Sequence, residues 1–141
     1  MNWPEAQVRR RLEGSASRSL EFEARTLAED DMPKVIFILQ RKAGTTPEQC
    51  LARWAGDQHI AIVSTIPGLT RWTQNHVVPA TGEAPCDGIG ELWFESDELL
   101  QSALGSPEMG AAVEDAKSFL DMEKTRMILV AEKTVLDRVR T

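Results

Sequence analysis

The sequence predicts an α+β domain with the ferredoxin-like element order βαββαβ. Two segments, 34–39 and 126–135, have the length and composition of strands rich in β-branched residues; the first is an unbroken apolar run and the second has a continuous apolar start. Between them, two helix starts, each with a proline after a threonine or serine, are separated by two further strand-like segments. We therefore expect a four-stranded antiparallel sheet with two helices on one face.

The composition limits the functional classes. A chain of 141 residues is long enough for one domain with a real core, and a net charge of −6 argues against a nucleic-acid or anionic-membrane binder. The apolar runs are too short to cross a bilayer, and the N-terminus lacks the apolar stretch of a secretory signal. Cys50 and Cys86 have no metal-type spacing and fit a reducing compartment. We expect a cytoplasmic protein with no metal, no nucleic-acid partner and no membrane partner.

The start of the chain differs from the rest. Residues 1–31 are dense in charge and contain two short helical patterns, from about Asn2 and from about Ser19. A mobile or loosely docked extension is favoured here over an arm that clasps a partner. The predicted domain spans 32–136, and 137–141 form a charged, solvated tail.

The first predicted helix begins at a capping box and carries a histidine on its apolar face. Thr46 and Gln49 are three residues apart, with proline at the first helical position, and Pro67 with Gly68 ends the helix. Steps of three and four place six residues on one face: Leu51, Trp54, Ala55, Gln58, His59 and Ile62. His59 is then either a core imidazole bonded to a backbone carbonyl or an acid–base group in a pocket.

The second half of the chain supplies two strands, two helices and a closing strand. Residues 69–79 place one set of side chains on a common face: Trp72, Gln74, His76 and Val78. Residues 87–94 place Gly90, Leu92 and Phe94 on one face and Ile89, Glu91 and Trp93 on the other. Helices are expected over 97–104 and from Pro107 to about Phe119, before the strand at 126–135.

The two apolar runs also predict a homodimer. Neither run alternates between apolar and polar residues, so both faces of their strands need burial. The helices cover only one face, and a second copy packing sheet on sheet would cover the other.

Taken in order, several motifs resemble the EthD family of dimeric α/β-barrel proteins. The matching segments are MPKVIFILQRKAG, TPEQCLARW, the His59 segment, IPGLTRW, DGIGELWF, SPEMGAAVEDAKSFLD and the closing strand through Glu132. Together they cover residues 32 to about 136. The resemblance implies a ferredoxin-like protomer that dimerises through its sheet, with a pocket between sheet and helices in each subunit.

The resemblance also implies a chemistry. Relatives include methylmuconolactone methylisomerase and fungal polyketide-tailoring dehydratases, which act on small, mostly apolar oxygenated rings without a metal or organic cofactor. The histidine at the position of His59 is a recurrent pocket residue there. Leu92 and Trp72 stand where the methylisomerase has a pocket cysteine and tyrosine, so a thiol acid–base role is lost. His76, on the strand face of Trp72, is a candidate replacement; the alternative is an exposed strand residue.

The predicted site combines an apolar wall with a few polar groups, the usual composition of a small-molecule pocket. The candidate catalytic residues are His59 and His76. The candidate ligand-binding residues are Trp54, Trp72, Gln74, Leu92, Phe94 and Phe119. His59 would move a proton beside a substrate carbonyl, while His76 or Gln74 polarises the oxygen. Alternatively, the aromatic residues are an ordinary core. No cofactor is predicted.

Three functions are compatible with these observations. The first is a cofactor-independent lyase or isomerase acting on a small apolar oxygenated compound of catabolic or polyketide-like type. The second is a non-catalytic carrier or accessory protein of an oxygenase system. The third is a cofactor-free or haem-dependent monooxygenase, since other dimeric α/β barrels do both.

Overall fold

The computed structural model describes residues 32–78 and 83–139 of the protein. Within these ranges the chain forms four strands and four helices in the order βααββααβ. The helical patterns expected before residue 32 lie outside the described residues, as does part of the loop after the second strand. No helix in the described ranges is long and apolar enough to cross a membrane.

The elements follow the predicted order. Their bounds are β1 Met32–Leu39, α1 Pro47–Trp54, α2 Asp57–Val63, β2 Leu69–His76, β3 Gly88–Phe94, α3 Asp97–Leu104, α4 Pro107–Ala116 and β4 Arg126–Glu132. Helix α3 has the predicted bounds, whereas the first predicted helix is two helices and α4 is shorter than expected.

The four strands form one antiparallel sheet in the order β2-β3-β1-β4. The central strand β1 pairs with β3 on one side and with β4 on the other. This order is that of the split βαββαβ arrangement, so the predicted α+β, ferredoxin-like fold is confirmed. β4 ends at Glu132, three residues before the predicted end at Val135.

The first crossover helix was predicted as continuous, and this is wrong. The capping box forms as expected, with Gln49 N–H donating to Thr46 Oγ1 over 3.1 Å. The chain then bends sharply at Gly56, where a Cβ atom would lie only 2.9 Å from the Ala52 carbonyl oxygen. Glycine is the residue that tolerates such a close backbone approach. The bend starts a second helix, α2, which turns His59 and Val63 toward the sheet and leaves Gln58 exposed.

Helix α4 ends three residues before the predicted end at Phe119. The N–H groups of Ser118 and Phe119 donate to carbonyls three residues back, at 3.1 and 3.0 Å, instead of four. This tighter turn ends the helix. The Phe119 side chain that follows is 1% exposed and packs in a buried cluster with Leu39 and Trp54.

The helices pack on one face of the sheet, and the core lies there. Val35, Leu92, Phe94 and Met127 come from three strands and pack with apolar residues of α2, α3 and α4. On the opposite face of β1, Ile36 and Ile38 are only half-buried, and the described residues place no helix over them. We call the side of the sheet that the helices cover the helix face, and the opposite side the outer face.

Candidate functional site

A cavity of about 70 Å³ lies on the helix face, between the sheet and the helices. Its wall is mostly apolar. The sheet contributes Phe37, Trp72 and Leu92, and the helices contribute Trp54, Val63 and Met109 among others. The polar side-chain groups of the described wall residues are those of His59 and Thr125 and the indole N–H groups of Trp54 and Trp72. An apolar enclosure with few polar groups is the usual form of a small-molecule site.

Two glycines of β3 let an aromatic side chain form part of this wall. A Cβ atom at Gly88 would lie 2.6 Å from Trp54 Cζ3, and one at Gly90 would lie 3.3 Å from Trp54 Cζ2. The indole therefore rests directly on the strand backbone. Gln74 Nε2 donates to the Trp54 carbonyl over 2.9 Å, which ties the end of α1 to β2.

His59 lies on α2 and reaches the cavity between two aromatic rings. Its side chain is 8% exposed. The ring meets Phe119 edge-on, with centroids 5.2 Å apart, and Trp72 in a similar geometry at 6.2 Å. Edge-to-face packing of this kind fixes the plane of the imidazole.

Asp115, on α4, holds one nitrogen of His59. Its Oδ2 lies 2.9 Å from His59 Nδ1. The other carboxylate oxygen accepts from Gln58 Nε2 over 2.6 Å and lies 3.6 Å from Arg53 Nη2. Because a carboxylate only accepts, Nδ1 carries the hydrogen and Nε2 of the neutral ring is unprotonated. Nε2 bonds to no described residue.

The surroundings keep His59 neutral. Burial, the largest effect, lowers the pKa of His59 below its usual 6.5, and the nearby Arg53 lowers it further. The hydrogen bond and charge of Asp115 act in the opposite direction without reversing the shift. At neutral pH the cavity is therefore faced by an uncharged imidazole with a free lone pair, which is the form a general base needs.

The structure brings some of the predicted site residues together and places others elsewhere. Trp54, Trp72 and Leu92 line the cavity with His59. Phe119 contacts the imidazole ring. The remaining three are off the described wall: Phe94 is fully buried in the core, Gln74 is engaged with Trp54, and His76 is exposed.

The position of His76 follows from its own contacts. Its Nε2 is 2.9 Å from Gln74 Oε1, and its ring stacks on Trp54 with centroids 5.3 Å apart. These contacts hold the imidazole on the outside of the Trp54 indole, away from the cavity. His76 thus supports a wall residue and is not placed beside His59.

Sequence reasoning missed Asp115 and Thr125. Asp115 is three residues after Ala112 and four before Phe119, at the edge of the apolar stripe of α4. That position was a weak signal, because its partner is 56 residues away and depends on how α2 packs on α4. Thr125 directly precedes β4 and carries no pattern that marks it.

Comparison with protein families decides the identity of the domain. The model of the EthD domain matches residues 42–123, which include both His59 and Asp115. The chain belongs to the EthD family. Comparison with curated protein sequences finds no significant match.

Solved structures show the same fold at low sequence identity. An EthD family protein of Bacillus halodurans is 22% identical, with a TM-score of 0.61 over 72% of this chain and 99% of that one. A dimeric ferredoxin-like protein of Bacteroides fragilis is 14% identical, with a TM-score of 0.55 over 72% and 96%. SnoaB of Streptomyces nogalater, a cofactor-independent oxygenase, is 13% identical, with a TM-score of 0.53 over 76% and 99%.

Proposed function

We propose that this EthD family protein binds a small, apolar, oxygenated compound in the cavity and moves a proton on it by acid–base catalysis. The reaction is that of a lyase or isomerase without a metal or organic cofactor. The observation that carries the proposal is His59, which is buried and neutral, with Nδ1 bonded to Asp115 and Nε2 unbonded on a cavity wall. A histidine with both ring nitrogens hydrogen-bonded would have no free lone pair to offer.

His59 takes the proton first. Nε2 removes a hydrogen from a ligand carbon whose C–H bond is made acidic by a neighbouring carbonyl. The imidazolium that forms is stabilised by the Asp115 carboxylate 2.9 Å away, so charge develops where a counter-charge is already held. Return of the proton to a different carbon gives an isomer, and its delivery to a leaving oxygen gives an elimination product.

The apolar wall has two roles in this scheme. Trp54, Trp72 and Leu92 supply the surface that removes the ligand from water. Exclusion of water also strengthens the electrostatic contacts made by the base and its carboxylate. The apolar wall supports the proposal of an apolar ligand, and burial against it lowers the pKa of His59.

We further propose that the protein acts as a homodimer that pairs the outer faces of two sheets. Ile36, Ile38, Ile128 and Val130 are half-buried in the single chain and form an apolar area on that face. The Bacteroides fragilis neighbour is dimeric and shares the fold. A molar mass of twice the chain mass of 15.7 kDa in light scattering is expected. A monomer at tens of micromolar would contradict the dimer.

The proposed chemistry is tested with small molecules from the source of the protein. Purified wild type, His59→Ala and Glu114→Gln are each incubated with a metabolite extract, and the extract is compared before and after by untargeted mass spectrometry. We expect one compound to disappear with wild type and with Glu114→Gln, and to survive with His59→Ala. Glu114→Gln is the control because its side chain is 66% exposed, pairs with Lys117 and is off the cavity wall.

Other outcomes point to other functions. A compound that copurifies with the protein and is recovered unaltered would replace the catalytic proposal with a carrier. Oxygen consumption that depends on the protein would replace it with an oxygenase. Equal conversion by wild type and His59→Ala would remove His59 as the base.

A further inference from the structure

Thr125 is a buried residue of the cavity wall whose hydroxyl has an unmatched donor. The residue is 0% exposed and lies on the cavity wall. Its Oγ1 accepts the Gln40 backbone N–H over 3.1 Å. A hydroxyl also has one hydrogen to donate, and no acceptor for it is found among residues 32–78 and 83–139.

A buried donor without an acceptor is unusual enough to require a partner. Leaving such a group unpaired costs about 1–3 kcal/mol, and most buried polar side chains in native proteins are paired. Among the remaining described wall residues, His59 Nε2 is the one strong side-chain acceptor, and it does not bond to Thr125. The acceptor for Thr125 is therefore supplied by whatever occupies the cavity.

The cavity is also selective for charge. None of its described wall residues is lysine or arginine, and His59 is held neutral. A buried carboxylate or phosphate without a counter-charge costs several kcal/mol, so an anionic ligand is strongly disfavoured. The described wall residues include no aspartate or glutamate either, so a cation would also lack a counter-charge, and an uncharged occupant is favoured.

The size of the cavity restricts the occupant further. A cavity of about 150 Å³ holds benzene. The 70 Å³ here admits a single small ring only if neighbouring side chains yield, and Met109 and Met122 on the wall are side chains of the adaptable kind. Fused ring systems are larger than this space.

We infer that Thr125 is the binding residue for the carbonyl oxygen of a small, uncharged ketone or lactone. A carbonyl only accepts, so it satisfies the hydroxyl without bringing a further donor that would need its own partner. It also makes the adjacent C–H acidic, which is what His59 requires; this part of the inference rests on the proposed function. Thr125 holds the oxygen, and His59 faces the hydrogen.

The inference is tested by binding, with no turnover needed. The probes are cyclopentanone, cyclopentane and cyclopentanecarboxylate, titrated into isotope-labelled wild type, Thr125→Val and Thr125→Ser and followed by NMR shift changes. Valine keeps the shape and removes the hydroxyl, whereas serine keeps the hydroxyl. Within each protein, the ratio of the Kd for the ketone to the Kd for the hydrocarbon cancels general changes in stability.

We expect this ratio to rise about threefold to tenfold in Thr125→Val, the effect of one neutral hydrogen bond, and to stay within about twofold of wild type in Thr125→Ser. We expect cyclopentanecarboxylate to bind at least about tenfold more weakly than the ketone. An unchanged ratio in Thr125→Val, carboxylate binding as tight as ketone binding, or no binding of either neutral ring to wild type would each overturn the inference. Because this experiment measures equilibrium binding, its result can be interpreted even if the catalytic test at His59 fails.

Discussion

The two faces of the sheet handle ionisable groups in opposite ways. On the helix face, one histidine lies in an apolar wall with one carboxylate behind it and stays neutral. On the outer face, Lys34 is nearly as buried, with a side chain 10% exposed, yet it stays charged. Both groups are desolvated, so burial alone does not decide their charge.

The outer face surrounds its lysine with acceptors. Lys34 Nζ lies 2.8 Å from Glu91 Oε1 and 3.3 Å from Glu132 Oε2. The Trp93 indole N–H donates to Glu132 over 2.7 Å, and both Lys34 and Arg71 lie within 5 Å of the Trp93 ring centre, at 4.6 and 4.5 Å. The network joins residues of all four strands.

The difference lies in the number of charged partners. Burial, the largest single effect, lowers the pKa of Lys34, but the hydrogen bonds and charges of Glu91 and Glu132 together raise it above 10.5. The bond from Lys34 in turn lowers the pKa of Glu91. His59 has one carboxylate partner, whose other oxygen is shared with Gln58 and Arg53, and the effect of burial prevails. The helix face thus keeps its histidine neutral, and the outer face keeps its lysine charged.

The largest contrast is expected from truncating one apolar residue on each face. Phe94→Ala removes a fully buried ring from the helix face and should lower the free energy of unfolding by about 3–5 kcal/mol. Ile38→Ala on the half-buried outer face should cost under about 2 kcal/mol in a monomer. Urea unfolding at two protein concentrations measures both.

The concentration dependence sharpens this contrast. If two copies cover the outer faces, the cost of Ile38→Ala increases with protein concentration, whereas that of Phe94→Ala changes little. Equal costs that do not vary with concentration would remove both the difference between the faces and the support for a dimer.

A smaller effect on stability, but a large one on chemistry, is expected from Asp115→Asn. The amide can present either an acceptor or a donor to Nδ1, so the Nδ1–H form of His59 is no longer enforced and the stabilising charge is lost. Any His59-dependent conversion should fall on the order of 10²–10⁴-fold, as expected when an orienting carboxylate is removed. Long-range ¹⁵N–¹H NMR should show the Nδ1–H tautomer in wild type and a lower pKa for His59 in the variant.

Glu114→Gln is the matched control for Asp115→Asn. Glu114 is the neighbouring residue on α4, its side chain is 66% exposed, and it pairs with Lys117. The tautomer and pKa of His59 should not change in this variant. A wild-type ring with hydrogen on Nε2 would contradict the role given to Asp115.

The smallest expected effect is that the two faces lose their contributions to stability in different pH ranges. The pKa of His59 is below 6.5 in the folded state and about 6.5 in the unfolded chain. Between these two pKa values the unfolded chain binds more protons, so stability decreases as pH falls below about 6.5. The folded-state pKa values of Glu91 and Glu132 are below 4.5, so their contribution is present above 4.5 and is lost as pH falls further.

Denaturant midpoints between pH 8 and pH 3 should therefore decline in two steps. His59→Gln should lose the upper step and retain the lower one, and His76→Gln should retain both. A single decline confined to the acid range in wild type would show that His59 is not held neutral by the fold.

Much of the fold was readable from the sequence because its signals are local. A short apolar run rich in β-branched residues, such as 34–39, predicts a strand, and the Thr46–Gln49 capping box fixes a helix start by short-range bonds. The break at Gly56 was missed because a single glycine inside a helical pattern is usually tolerated. The break depends on the close approach of the Gly56 backbone to the Ala52 carbonyl oxygen in the previous turn, and the spacing of residues in the sequence does not reveal this contact.

The candidate site was less readable because it depends on packing between distant elements. Strand alternation gives Phe94 and Leu92 the same face, but only the positions of the helices decide that Leu92 meets the cavity and Phe94 the core. His76 is a second example. Strand alternation places it on the same face as Trp72, but its ring stacks on the outer side of the Trp54 indole. The Asp115–His59 contact joins two crossover segments and has no local signature.

The contact between Trp54 and the β3 glycines makes the binding space adjustable in small steps. At Gly90 an added methyl group would press on Cζ2 from 3.3 Å, so the indole would need to shift by only a few tenths of an ångström. A change of Gly90 to alanine would therefore reduce the cavity volume and leave the His59–Asp115 contact in place. The volume of the cavity is thus set separately from the position of its histidine.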